Sequence, residues 1–280
     1  MSIQDRAGIA GARRVVVKVG SSSISGENAH KIQLIVEGLA AAHARGTQVV
    51  LVSSGAIATG MPYLALEERP VDLATQQAAA AVGQNVLIYR YQDALRPFEI
   101  VAGQVLLTAG DLDNPTHRSN ARRAMERLLG LRILPIVNEN DTVATHEIRF
   151  GDNDRLAALV AELIGADSLV LLSDIEALYT RPPSEPGARV IDTVPYDDDL
   201  RGFEFGATVV NSVGTGGAAT KASAARLATA SGIGVLVTSA DLVDDALRGA
   251  PIGTWFAPDP TAVAAPITGA IRTAADTLTP

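Results

Sequence analysis

The sequence predicts an α/β fold in which a parallel-rich sheet carries helices on both faces. Short β-branched runs alternate along the chain with longer stretches of helical periodicity. The first run, RRVVVKV at residues 13–19, is nearly continuous in apolar residues, as a strand buried on both faces is. Polar, glycine-rich motifs follow the carboxyl ends of the runs, where open sheets of this class bind ligands.

The elements follow in order. Residues 20–23 break the first strand. Residues 29–44 place Ile32, Ile35, Val36 and Leu39 at helical spacing and stop at Gly46. Residues 49–52 form the next strand, and residues 74–95 a helix with Pro97 beyond it. A strand at 101–107 precedes a helix from about 118 to 129, a strand at 133–137 and a short hairpin at 143–150. A helix covers 153–164 and a strand 168–172. Residues 181–206, with several Pro, Asp and Gly, form a loop or excursion. The chain then gives a helix at 218–231, a strand at 235–237 and a last helix at 241–248. Beyond Pro258 it is rich in Ala, Thr and Pro and is expected to fray. No internal repeat and no interdomain linker is evident.

The 280 residues are 47% apolar, enough for one large core or two modest ones. Charged residues, 19% of the chain, are spread without long runs, which argues against wholesale disorder. A net charge of −8 argues against a general nucleic-acid binder, although a local site can still be basic. With no cysteine there is neither a disulfide framework nor a thiolate metal site. The N-terminal MSIQDRAGIAGARR lacks the apolar centre of a signal peptide. No stretch approaches the roughly 18 apolar residues of a spanning helix. The expectation is a soluble cytoplasmic protein without membrane or nucleic-acid partners.

Of the 23 basic residues only Lys18, Lys31 and Lys221 are lysines. Where arginine fills nearly every basic position, a remaining lysine suggests a need for a compact charge on a flexible stem. Lys31 lies in an amphipathic helix and is explained by chance. Lys18 and Lys221 adjoin glycine-rich turns.

Four segments can carry chemistry. VVVKVGSSS, residues 15–23, ends a strand in Gly20, Ser21 and Ser22, whose amides can form a nest for phosphate beside Lys18. It also reads as an ordinary Gly–Ser turn. VSSGAIATG, residues 52–60, admits a ligand carboxylate near Ser53 and Ser54, or simply permits tight packing. Residues 136–154 gather Asn138, Glu139, Asn140, Asp141, Asp152, Asn153 and Asp154, more amides and carboxylates than a core tolerates. Such a cluster suits an ammonium-bearing ligand, or else it is a solvated loop whose Asp152 or Asn153 caps the next helix. GTGGAATKASAARLA, residues 214–228, places Lys221 in the first turn of a helix behind three glycines. It is neither a Walker A loop nor a dinucleotide fingerprint. The four histidines lack metal-ligand spacing, and Ser53–Ser54 has no evident histidine base. Cations, amide-lined turns and a separate acceptor pocket together are what phosphoryl transfer requires.

VVVKVGSSS, VVLVSSGAIATG, AAAVGQ, GQVLLT, IVNENDTVATHEIRFGDNDRLAALVA, LVLLSDIEALYT and GTGGAATK occur in this order. Together they closely resemble the amino-acid kinase family, and within it the kinases of free glutamate. The resemblance runs from about residue 13 to 257, leaving a short N-terminal extension (1–12) and a tail (258–280). It implies a three-layer αβα sandwich, with ATP at the C-terminal part and L-glutamate at the N-terminal part. It implies ATP-dependent phosphorylation of the glutamate side-chain carboxylate to L-glutamyl 5-phosphate, the first step of proline biosynthesis.

The roles carried over are these. Lys18, Gly20, Ser21 and Ser22 contact the ATP phosphates. Ser173 and Asp174, with Thr215, Gly216, Gly217, Ala218, Ala219, Thr220 and Lys221, complete the nucleotide site. Ser54, Asp141 and Asn153 bind glutamate. Lys18 and Lys221 stabilise the moving phosphoryl group and Asp154 orients them. Mg²⁺ arrives with ATP, so no protein metal ligand is assigned. Proline feedback inhibition and a homo-oligomer are implied as well. Gly20-Ser21-Ser22 stands where the family often has Gly-Thr-Ser, and Ser173-Asp174 where it often has Thr-Asp. Ala218 and Ala219 replace Met and Ser, which weakens the expected nucleotide contacts. Many members also carry a C-terminal PUA domain that this sequence ends too early to include. The competing readings are a kinase for another acceptor (acetylglutamate, aspartate, carbamate or a nucleoside monophosphate) and a non-catalytic sensor on the same scaffold.

Overall fold

The computed structural model describes residues 3–143, 153–198, 200 and 217–262. Its elements follow the predicted alternation: β1 (Arg14–Val19), α1 (Lys31–Ala44), β2 (Gln48–Val52), α2 (Ala56–Gly60), α3 (Leu73–Leu95), β3 (Ala102–Leu107), α4 (Ala109–Asp113) and α5 (Pro115–Gly130). Then come β4 (Leu134–Glu139), α6 (Asn153–Ile164), β5 (Ser168–Ser173), β6 (Thr193–Val194), α7 (Ala218–Ala230), β7 (Gly234–Ser239), α8 (Val243–Leu247) and β8 (Thr254–Phe256).

The eight strands form one sheet in the order β3-β4-β2-β1-β5-β7-β8-β6. Every pairing is parallel except β7 with β8. From β1 the chain moves first toward β2 and later returns to lay β5 on its other side. That reversal opens a crevice at the carboxyl ends of the central strands.

Side-chain alternation along the strands divides the interior into two cores. Val15, Val17 and Val19 of β1 pack with α1, α2, α3 and α8. Val16 faces the opposite way, toward α5, α6 and α7. The architecture is therefore the predicted three-layer sandwich.

The differences from the sequence reading are local. α5 starts earlier than expected because Asn114 accepts from the Thr116 and His117 amides, with Pro115 as the first helical residue. β4 runs two residues further than its apolar run, so Asn138 and Glu139 lie in a buried strand end. The short α2, α4 and β8 fell below the length at which periodicity is readable. Trp255 is buried in β8, its indole donating to the Gln4 carbonyl at 3.2 Å. The excursion at 181–206 contributes the two-residue strand β6. The hairpin expected at 143–150 lies outside the described residues except for Val143, as does the tail from 263 onward.

α2 and α3 cross at backbone contact. A Cβ on Gly60 would lie 1.9 Å from the Ala79 carbonyl oxygen, and one on Gly83 would lie 1.8 Å from that of Ala56. Only glycine at both positions permits this crossing, which holds α2 and the turn preceding it. Gly83→Ala must therefore separate the helices, and overpacking of this kind costs about 1–3 kcal/mol. A lowered urea midpoint is expected; an unchanged midpoint would show that the crossing relaxes freely.

Candidate active site

Period-two alternation puts Lys18 on the same side of β1 as Val16, facing α6 and α7. Asp154 is the second residue of α6, and Lys221 lies in the first turn of α7. The three meet beneath the carboxyl edge of the sheet. Lys18 Nζ lies 2.7 Å from Asp154 Oδ1, and Lys221 Nζ lies 3.2 Å from Asp154 Oδ2. Their exposures are 4%, 2% and 5%, so one buried carboxylate stands between two buried ammonium groups. The group carries a net positive charge that a bound anion can neutralise.

Burial on its own penalises the Asp154 carboxylate, but the charges of Lys18 and Lys221 outweigh it and hold the carboxyl well below the usual range. A depressed pKa stabilises the fold above the unfolded value and is lost only as pH falls through the folded one. Asp154 is thus ionised throughout the neutral range. Thr220 joins the cluster: its Oγ1 donates to Asp154 Oδ2 at 3.1 Å and accepts from the Gly217 amide at 3.0 Å. The end of the glycine loop is in this way tied to the ion triad.

Two turns border the triad. Gly20 caps the single 3₁₀ turn Ser21–Ser23. A Cβ on Gly20 would lie 3.9 Å from Lys18 Nζ and 3.8 Å from Ser22 Oγ, so the bare glycine leaves space directly above the ammonium. Gly55 adopts φ +84°, and a Cβ there would lie 3.2 Å from Ser21 Cβ. The turns after β1 and β2 are therefore in contact. Ser173 ends β5, with its hydroxyl on Asp174 Oδ1 at 3.0 Å. Ala218 is half-buried and Ala219 exposed; Thr215, Gly216 and Asp152 lie outside the described residues.

On the other side of the crevice the amide–carboxylate cluster is buried, unlike a solvated loop. Asn138, Glu139, Asp141 and Asn153 are all below a tenth exposed. Asn153 Nδ2 lies 3.0 Å from each of three acceptors: the Ser53 carbonyl, Ser54 Oγ and Asn138 Oδ1. Its Oδ1 is buried with no hydrogen-bond partner among the described residues. Successive helix positions diverge by about 100°. That divergence lets Asn153 serve the amide cluster while Asp154, one residue on, serves the lysines. The structure thus brings Ser54, Asp141, Asn153, Asp154, Lys18 and Lys221 to one edge of the sheet. Gln84 of α3 also belongs to this neighbourhood, donating to the Glu139 carbonyl at 3.2 Å. Nothing but its place in AAAVGQ marked it in the sequence. Tyr91 lies beneath, its phenol 3.0 Å from Ser53 Oγ and pushed to a higher pKa by burial.

Buried cations, glycine-rich turns and a separate buried amide cluster at a sheet's switch point fit a phosphotransferase. The chain belongs to the amino acid kinase family, whose pattern it matches over residues 13–239. It is 72% identical to a glutamate 5-kinase of Leifsonia xyli subsp. xyli over 258 residues, 92% of this chain and 96% of that one. It is 70% identical to a glutamate 5-kinase of Clavibacter sepedonicus, over 92% of this chain and 99% of the relative. A carbamate kinase from Giardia lamblia bound to AMP-PNP shares the fold, with a TM-score of 0.66 at 17% identity, over 89% of this chain and 100% of that one.

Asp141 provides a test of the electrostatics. Burial, reinforced by Glu139 and opposed by Arg69, raises its pKa from 3.8 to about 7. A raised carboxyl stabilises the fold fully below its unfolded pKa, and that contribution is lost as pH rises through the folded one. Asp141→Asn removes the loss. The variant is expected to gain stability over the parent in urea titrations between about pH 5 and about pH 8. A difference independent of pH would mean that Asp141 is already ionised in the folded protein.

Proposed function

We propose that this chain transfers the γ-phosphoryl group of ATP to the side-chain carboxylate of L-glutamate, giving L-glutamyl 5-phosphate and ADP, the first step of proline biosynthesis. The observation that carries this reading is the Lys18–Asp154–Lys221 triad beside the Asn153 amide cluster, in a chain 72% identical to a glutamate 5-kinase.

ATP enters as its magnesium complex, a co-substrate whose phosphates fit the cationic crevice. The Gly20-Ser21-Ser22 turn and loop 215–221 hold the phosphates, and Ser173 and Asp174 contact the nucleotide. Ser54, Asp141 and Asn153 hold the amino-acid end of glutamate. An ammonium arriving beside Asp141 favours its carboxylate form and displaces the proton that burial retains there. A side-chain carboxylate oxygen of glutamate then attacks the γ-phosphorus in line, and the bond from phosphorus to the ADP oxygen breaks. That carboxylate is already ionised, so no general base is needed. Lys18 and Lys221 offset charge on the transferring group, and Asp154 prevents them from drifting apart.

The fold does not fix the acceptor, because a carbamate kinase shares it. The buried amide–carboxylate pocket favours an acceptor bearing a free ammonium. Inhibition by proline, which carries the same α-carboxylate and a protonated amine, follows from the same pocket. A homo-oligomer is part of this reading. So is a cytoplasmic location; among the described residues no helix is long and apolar enough to cross a membrane.

A panel of acceptors with ATP and Mg²⁺, the acyl phosphate trapped with hydroxylamine, tests the assignment. Glutamate is expected to give product, and aspartate and N-acetylglutamate little; preference for N-acetylglutamate would overturn it. Lys221→Ala is expected to lower kcat by roughly 10² or more, the scale of one preorganised electrostatic contact. A folded variant with the parental kcat would make Lys221 structural.

A further inference from the structure

Three donors reach the Asp154 carboxylate, and they differ in stiffness. Lys18 Nζ lies 2.7 Å from Oδ1, while Lys221 Nζ and Thr220 Oγ1 lie 3.2 Å and 3.1 Å from Oδ2. Each lysine ends a flexible stem, so its ammonium can follow the carboxylate as it turns. Thr220 hangs on a single side-chain torsion, and branching at Cβ restricts that torsion further. The second torsion of an aspartate is broad. A short, stiff donor on one oxygen narrows it; two donors on long stems adapt to it instead.

The place of the Thr220 hydroxyl is itself fixed. Thr220 is the third residue of α7, behind the cap Gly217. Its Oγ1 accepts from the Gly217 N–H at 3.0 Å, a contact that Glu or Gln commonly makes at this position. Threonine makes it with an atom that also carries a hydrogen. Two acceptors lie within reach of that hydrogen, the Gly217 carbonyl at 2.9 Å and Asp154 Oδ2 at 3.1 Å. The carbonyl already accepts the Lys221 backbone N–H at 3.2 Å. Asp154 is an anion, and a hydrogen bond to an ionised acceptor is roughly twice as strong as a neutral one. The hydrogen therefore goes to Asp154.

We propose that Thr220 is a positioning residue for phosphoryl transfer: its hydroxyl, pinned by the Gly217 amide, fixes the Asp154 carboxylate, and Asp154 in turn places the ammonium groups of Lys18 and Lys221. This rests on the reading that both lysines serve the transferring phosphoryl group. The family resemblance puts Thr220 among the nucleotide contacts; the hydroxyl is instead turned to Asp154. It acts through that carboxylate, so it bears on the rate of transfer and not on how the acceptor is held.

Two variants of the full chain isolate the hydroxyl. Thr220→Val keeps the branched shape and removes the donor; Thr220→Ser keeps the donor. With the acyl phosphate trapped by hydroxylamine, Thr220→Val is expected to lower kcat roughly tenfold, the scale of one hydrogen bond to a charged group. KM for glutamate is expected to stay at the parental value, and Thr220→Ser to retain most of the parental kcat. If Thr220 only caps α7, the pattern differs: a looser glycine loop raises KM for ATP and leaves kcat alone. A folded Thr220→Val with the parental kcat, or a Thr220→Ser that falls as far as Thr220→Val, overturns the positioning role. If Thr220→Val does not fold, Thr220→Ala, which puts a better helix former in the same turn, is read in its place. If the parent transfers phosphate to an acceptor other than glutamate, the proposed function fails, and kcat with that acceptor still tests Thr220. If the parent transfers phosphate to no acceptor, both fail.

Discussion

The arrangement of the molecule depends on one buried carboxylate held between two buried ammonium groups. Removing Asp154 leaves two uncompensated ammonium groups in the interior, whereas removing either lysine leaves a neutral pair; breaking a buried pair by removing one partner costs about 3–5 kcal/mol. Asp154 needs α6 to start where it does, Lys18 needs the register of β1, and Lys221 needs the glycine loop to deliver α7. The ion pairs at 2.7 and 3.2 Å join the central strand to two helices of one layer. The cluster keeps a positive surplus inside a protein whose net charge is −8. That surplus gives the crevice a local positive field within an acidic protein.

The second constraint is proximity of backbones. The turn after β1 and the turn after β2 touch at Gly55 and Ser21, and the helix following Gly55 crosses α3 with glycine on both sides. The turns that follow two adjacent strands therefore sit at contact distance, with only the Ser21 side chain against Gly55. In the proposed transfer the reacting oxygen and phosphorus must meet closely, which this close approach of the two turns allows. Hydrogen-bonded amides of Asn138 and Asn153 lie beside them, buried.

Much of the fold was legible because parallel strands buried on both faces must be continuously apolar. The runs read at 13–19, 49–52 and 168–172 each fell, within one residue, on a strand of the central sheet. The helices 31–44, 73–95 and 153–164 fell within two residues of their predicted limits. Lys18 and Lys221 stood out because arginine occupies nearly every other basic position. The short α2, α4, β6 and β8 were not legible, since they are too short to show a period and are fixed by neighbours. β8 exists because β7 offers it an edge, on which it pairs antiparallel.

The sequence by itself determined the alternation of strand and helix, the glycine turns at strand ends and the residue types available for phosphoryl transfer. These are properties of local pattern, readable over a few residues. Only the tertiary structure decided that Lys18, Asp154 and Lys221, from three separate elements, share one carboxylate. It also decided that Asn138 and Glu139 end a buried strand, and that Gln84 of α3 reaches them. Hydrogen bonds between residues more than fifty positions apart, such as Gln84 to Glu139 and Asn153 to Ser54, leave no periodicity in the chain. Their geometry exists only once the sheet has brought its carboxyl edges together.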